Sequence, residues 1–236
     1  MKKVNFLSVI AACIMLITSC HKDPENHTLY LIYPNPAIQQ DCWVYADQEQ
    51  DSIIFETFDS YKTTSLADWI TVTAGASYEV NYDYRNLYAF TTLVSFKPNT
   101  TGKTRLGSVK IDSYDYSSAA VFCQFGFMNI RRPEPMNTIV ADSVSFDLYV
   151  NAVSTVDSIC FNVSKPWTLA YAENADQTWA VVDKTSGAAG DNKVTISLTP
   201  NTDTKNARAT VLELKCGEVI NLINIRQAVG INTTED

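Results

Sequence analysis

Val194, Ile196 and Leu198 alternate with Thr195 and Ser197, and Pro200-Asn201 follows at once. A two-residue period puts one set of side chains on one face of an extended segment, and a proline, which has no N–H to give a ladder, ends it. The same alternation runs through Thr92, Val94 and Phe96 to Pro98-Asn99. Further on, the runs Ala209 to Leu214 and Val219 to Ile225 flank Cys216-Gly217, which reads as a closing hairpin. Beyond the first twenty residues no long stretch carries a 3.6-residue period. The pattern predicts short strands and turns throughout.

These strand-like stretches occur twice in the same order. Asp51-Ser52-Ile53-Ile54-Phe55 recurs as Asp157-Ser158-Ile159-Cys160-Phe161 at an offset of 106, and Trp69-Ile70-Thr71-Val72 as Trp179-Ala180-Val181-Val182 at 110. Phe96 to Thr100 recurs as Leu198 to Thr202 at 102, and Arg105 is answered by Arg208 at 103. Four matches with such close offsets argue duplication. About seven strands in roughly ninety residues, twice over, predict an all-β fold of two tandem immunoglobulin-like β-sandwich domains. We expect the first at residues 28–132, a stiff diproline linker at 133–137, the second at 138–231 and a tail at 232–236.

The first copy carries an insertion. Trp69 and Pro98 are 29 positions apart, whereas Trp179 and Pro200 are 21 apart. The extra residues fall in SYEVNYDYRNLYAF, residues 77–90, which holds Tyr78, Tyr82, Tyr84 and Tyr88. By the two-residue period Tyr78, Val80, Tyr82 and Tyr84 share one face, Tyr88 is in phase with Phe90, Thr92, Val94 and Phe96, and Arg85-Asn86-Leu87 is the expected turn. Val94 and Phe96 should be core, with Tyr82, Tyr84 and Tyr88 lining the outer part of one face. These residues and Tyr78 are the candidate ligand-binding set; packing against the second domain is the open alternative.

The start of the chain is of another kind. A basic Lys2-Lys3 precedes an apolar run from Phe6 to Ile17, too short for a bilayer of ~30 Å, so residues 1–19 read as a signal peptide. Ile17-Thr18-Ser19-Cys20 resembles the lipobox of bacterial lipoproteins, a resemblance that implies acylation of Cys20 and a lipidated tether at 20–27. Asp23 and Glu25 after it resemble the surface-export signal of Bacteroidetes lipoproteins. The expected location is the outer membrane, lipid-anchored and facing the cell surface.

Without Lys2 and Lys3, 16 basic residues face 26 acidic ones, a balance unsuited to a phosphate backbone, so no nucleic-acid partner is expected. The only histidines, His21 and His27, lie in the tether, which leaves neither domain a histidine base for Ser/His/Asp or Cys/His catalysis. Asp83, Asp112 and Asp115 are the carboxylates that could pair for hydrolysis, and Asp112, Asp115 or Asp203 could hold calcium, but a solvated rim accounts for them and no metal or other cofactor is expected. Cys42, Cys123, Cys160 and Cys216 fall two to each half, either as disulfides Cys42/Cys123 and Cys160/Cys216 or as buried thiols. Trp69, Trp167 and Trp179 read as core landmarks; Trp43 has no evident counterpart in the second copy.

Trp167, Trp179, Thr185-Ser186-Gly187, Val194 to Leu198, Asn201, Arg208 and Ile225-Arg226-Gln227 resemble the BACON domain, an immunoglobulin-like module of Bacteroidetes surface proteins and glycoside hydrolases. The resemblance covers residues 143 to 230; the first copy departs from it, with Tyr61 in place of Trp167 and Phe122-Cys123-Gln124 in place of a plainer last strand. It implies a carbohydrate context: a non-catalytic accessory protein that binds or presents a glycan or glycoprotein, or else a spacer that contacts an outer-membrane protein partner without sugar. Asp51-Ser52-Ile53, Asp142-Ser143-Val144 and Asp157-Ser158-Ile159 resemble the Bacteroidetes O-glycosylation motif, though Asp-Ser before a strand is also ordinary turn chemistry.

Overall fold

The computed structural model describes residues 27–82, 85–132 and 145–230, without the side chains of residues 39, 40, 81, 82, 85 and 86. The expected signal peptide, Cys20, the 133–137 linker, Ser143 and the 232–236 tail lie outside the described residues. No helix among the described residues is long and apolar enough to cross a membrane.

The fold is all-β. In chain order the strands are β1 (Leu29–Tyr33), β2 (Trp43–Val44), β3 (Gln50–Thr57), β4 (Tyr61–Ser65), β5 (Ile70–Tyr82), β6 (Arg85–Phe96), β7 (Arg105–Ser113), β8 (Tyr116–Gln124) and β9 (Asn129–Arg131), followed by β10 (Ser145–Val150), β11 (Val156–Val163), β12 (Trp167–Tyr171), β13 (Ala180–Val182), β14 (Ser186–Gly187), β15 (Gly190–Leu198), β16 (Arg208–Cys216) and β17 (Val219–Gln227). They form four sheets, β1-β3-β6-β5 and β2-β8-β7-β4, then β13-β15-β11-β9 and β10-β17-β16-β12-β14. Each pair of sheets makes an immunoglobulin-like sandwich whose alternate side chains turn inward.

The buried set follows the alternation. Val194, Ile196 and Leu198 lie in one core with Phe161, Trp167 and Trp179; Val94 and Phe96 are buried in the other sandwich, with Phe55, Ile111 and Phe122. Within Thr185-Ser186-Gly187 the last two residues form β14, which pairs with β12 through Gly187 and Trp167. A Cβ at Gly187 would stand 2.5 Å from the indole nitrogen of Trp167, so only glycine lets this strand lie flat on the ring.

The chain divides into two compact units, and the division is not at residue 132. β9, placed in the first domain by sequence, pairs with β11. The second unit also takes in Val44–Gln48 and Pro98–Arg105. Ala46 and Met128 belong to its core, and the Met128 N–H donates to Oδ1 of Asn221 at 2.6 Å.

One hydrogen-bond pattern occurs twice. Arg105 Nε donates to Oε1 of Gln124 at 2.9 Å, and Arg208 Nε to Oε1 of Gln227 at 2.8 Å. Each glutamine amide turns to two successive carbonyls, Tyr45 and Ala46 for Gln124, Asn151 and Ala152 for Gln227. The buried Asn99 and Asn201 donate to Phe125 and Ala228, the carbonyls that follow those glutamines. The Tyr61 ring stands edge-on to Phe55 as Trp167 does to Phe161, with centroids 4.8 and 4.9 Å apart. A smaller ring fills the same place.

Candidate functional site

The tyrosine-rich insertion is the outer part of the β5–β6 hairpin. Ile70, Val72 and Ala74 pair with Phe96, Val94 and Thr92, and the register then slips before Ser77 meets Phe90. Gly75 and Ala76 of β5 form a bulge opposite Thr91. Glycine is needed there, because a Cβ at Gly75 would sit 2.7 Å from the Thr91 carbonyl oxygen.

The bulge reverses the phase of β5 beyond it. Glu79 pairs with Tyr88 and Tyr78 with Ala89, so Tyr78 and Tyr88 project from opposite faces of the hairpin. This corrects the single-face platform. Arg85-Asn86-Leu87, expected as the turn, lies within β6, where Tyr82 pairs with Arg85. Tyr84 and the Tyr82 side chain lie outside the described residues.

The two remaining tyrosines differ in environment. Tyr88 is half-buried and 6.1 Å from Phe90, whose ring packs on Phe55 at 5.8 Å and on Tyr61 at 4.6 Å. It extends the core aromatic cluster. Tyr78 is 58% exposed on β5, an edge strand whose residues 73–79 are all exposed. Of the two described candidates it is the more exposed side chain.

Trp69, Trp167 and Trp179 are core residues, each at most 6% exposed, and the Arg208 guanidinium covers the Trp179 ring at 4.6 Å. Trp43 does have a counterpart. The Val44 carbonyl accepts from the Phe125 N–H as the Val150 carbonyl accepts from that of Ala228, so Trp43 corresponds to Tyr149.

Asp83 lies outside the described residues, and Asp112 and Asp203 are engaged locally. Asp112 bridges Lys110 at 2.7 Å and accepts from Ser117. Asp203 accepts from the side chain of Asn206 and the backbone N–H groups of Lys205 and Asn206, and these bonds hold its carboxyl below the usual range. Among the described residues no cluster of three or more His, Cys, Asp or Glu could hold a metal. Cys42, Cys123, Cys160 and Cys216 are not joined in disulfides. His27 approaches Asp59 at 2.9 Å and stacks on Tyr114 at 3.7 Å.

Asp51 and Asp157 each accept the N–H of the following serine at 2.7 Å. Ser52 and Ser158 lie within paired strands, opposite Leu93 and Thr195.

A comparison with curated proteins finds no match. Among solved structures, the chain resembles a Bacteroides ovatus GH5 xyloglucanase in complex with a XXXG heptasaccharide at 22% identity and TM-score 0.32, over 38% of this chain and 18% of that one. An endo-fucoidan hydrolase of glycoside hydrolase family 107 aligns at 12% identity and TM-score 0.29, over 89% of this chain and 30% of that one. The tandem immunoglobulin domains of titin align at 7% identity and TM-score 0.26, over 79% and 92%. The chain thus spans less than a third of either hydrolase. Residues 167–228, from β12 through β17, match the family model of BACON, described as "Putative binding domain, N-terminal".

Proposed function

We propose that this chain is a non-catalytic, lipid-anchored protein of the bacterial outer-membrane surface that binds or presents glycan through tandem BACON-like sandwiches. The observation that carries the reading is the family match at 167–228, whose description is that of a binding domain. The repeated Arg-Gln-Asn hydrogen-bond pattern supports a second, divergent copy before it. The lipobox-like Ile17-Thr18-Ser19-Cys20 supports the anchor, and the acidic balance removes nucleic acid from the partners.

The test is a glycan panel probed with the full chain in detergent, beside intact-mass analysis of the natively processed protein. The reading expects millimolar-range binding to a subset of glycans, about −4 kcal/mol per site, and a mass that starts at an acylated Cys20. Many copies on one surface would raise that affinity through effective concentration.

The rival reading is a spacer that docks a protein partner. It is favoured by β5, whose long, exposed edge presents backbone groups suited to strand pairing. A blank glycan panel, with an outer-membrane protein crosslinked to β5, would replace the glycan reading with this one.

A further inference from the structure

We propose that the outer face of the β10–β17 ribbon is a saccharide-binding site centred on Tyr149, with Asp147, Asn224 and Arg226 as its hydrogen-bonding groups. The inference rests on the glycan reading above and assigns it to a place other than the tyrosine hairpin.

β10 and β17 run parallel with Asp147 opposite Asn224 and Tyr149 opposite Arg226. Leu148 and Val150 are buried in the core, so the alternate residues Asp147 and Tyr149 face outward. Tyr149 is 63% exposed, a large apolar ring left in water at the edge of a folded sheet. The groups around it are held by one another. Asn224 Nδ2 donates to Asp147 Oδ1 at 2.8 Å, and Arg226 Nε lies 3.8 Å from the same oxygen. The Arg226 guanidinium carbon is 6.0 Å from the Tyr149 ring centroid. Arg132 donates to the Tyr149 carbonyl and bridges Asp157 at 3.0 Å, which fixes the strand beneath the ring.

The chemistry selects the ligand class. An exposed aromatic ring offers a face for the C–H side of a pyranose, while a carboxylate, an amide and a guanidinium beside it offer planar acceptors and donors for vicinal hydroxyls. Asp147 matches the charge of Arg226, so the cluster carries no net charge. That balance fits a neutral oligosaccharide better than a phosphate or an acidic chain. Mutual hydrogen bonding also reduces the ordering needed on binding.

The first copy does not repeat the cluster. Trp43 occupies the position of Tyr149, but Val121 and Cys123 stand where Asn224 and Arg226 would be, by the correspondence of Phe125 with Ala228. The ring is kept, and Asp41 stands where Asp147 does, but the amide and the guanidinium are absent. The site therefore belongs to the second copy alone.

The test is amide chemical-shift mapping of the 15N-labelled full chain with cellohexaose, xylohexaose and mannohexaose, and with hexagalacturonate as the charged comparison. The expected result is shifts confined to 147–149 and 224–226, saturating with at least one neutral probe in the ~1 mM range. Tyr149→Ala and Asn224→Ala should each weaken binding by about tenfold or more with the melting temperature unchanged, and Tyr78→Ala should leave it intact. Neutral-sugar binding undiminished in both Tyr149→Ala and Asn224→Ala would overturn this site and leave the glycan reading standing. Silence towards every neutral probe at tens of millimolar would overturn both. Binding of hexagalacturonate alone would overturn the neutral-ligand assignment.

Discussion

Arg208 donates through Nε to the side-chain oxygen of Gln227 at 2.8 Å while its guanidinium covers the ring of Trp179 at 4.6 Å. One planar group thus joins the last strand, the Thr199 carbonyl and a core tryptophan. Lysine keeps the charge but loses the fork and the flat contact. Arg208→Lys should lower unfolding free energy by about 1–2 kcal/mol in a urea titration. Arg105→Lys, facing Gln124 in the same way, should show a loss of similar size. A midpoint that does not move in either variant would show that the repeated pattern contributes nothing to stability.

Gly187 offers a steric test. Its missing Cβ would lie 2.5–2.7 Å from three atoms of the buried Trp167 indole, and that ring is wedged edge-on against Phe161. The ring is buried, so a Cβ there forces the core to shift. Gly187→Ala should therefore destabilise by about 1–3 kcal/mol through overpacking. Pairing it with Trp167→Phe should recover part of the loss, since the smaller ring makes room; additive losses in the double variant would contradict the contact.

Asp47 supplies a pH dependence. It is 5% exposed, its Oδ2 accepts the Ser164 N–H at 2.8 Å, and the Cys216 thiol lies 3.7 Å away. Burial raises its carboxyl above the ordinary 3.8, against the opposing hydrogen bonds from Ser164 and Cys216. The folded state then holds the proton more tightly than the unfolded chain. The contribution of this group to stability is greatest below the ordinary value and falls as pH rises through the window up to the folded value. Asp47→Asn keeps an acceptor for Ser164 without the charge, so its melting temperature should not show that fall. Asp47→Ala should lose about 1–3 kcal/mol at every pH. Parallel wild-type and Asn curves across the acid range would exclude Asp47 as the titrating group.

The sequence disclosed periodicity and lost what depends on pairing. Val94, Phe96, Val194, Ile196 and Leu198 were legible because an inward face needs only a two-residue period. The recurrence of Arg105 in Arg208 was visible as spelling, whereas the glutamines that receive them came to light only when the last strands closed on the sheet. β9 escaped because three residues, Asn129–Arg131, carry no alternation. The bulge escaped because Ala74-Gly75-Ala76 has no side-chain period to break, yet it decides which way every later tyrosine faces. Aromatic density drew attention to residues 77–90 and away from Tyr149, whose partners Asn224 and Arg226 are about seventy-five positions distant and become neighbours only through a parallel pairing.

Tyr78 and Tyr88 separate binding from stability on the hairpin itself. Tyr78 is 58% exposed and pairs across to Ala89, so Tyr78→Ala should leave unfolding free energy within about 0.5 kcal/mol of wild type. Tyr88 faces the other way, into the cluster of Phe90, Phe55 and Tyr61. Tyr88→Ala should cost at least about 1 kcal/mol, because it removes an aromatic contact together with half-buried area. Thermal unfolding of the two variants reads this difference directly. Equal losses would mean that the phase reversal at Gly75 is not where the register places it; a loss confined to Tyr88 establishes that one tyrosine of the hairpin serves the core and the other the surface.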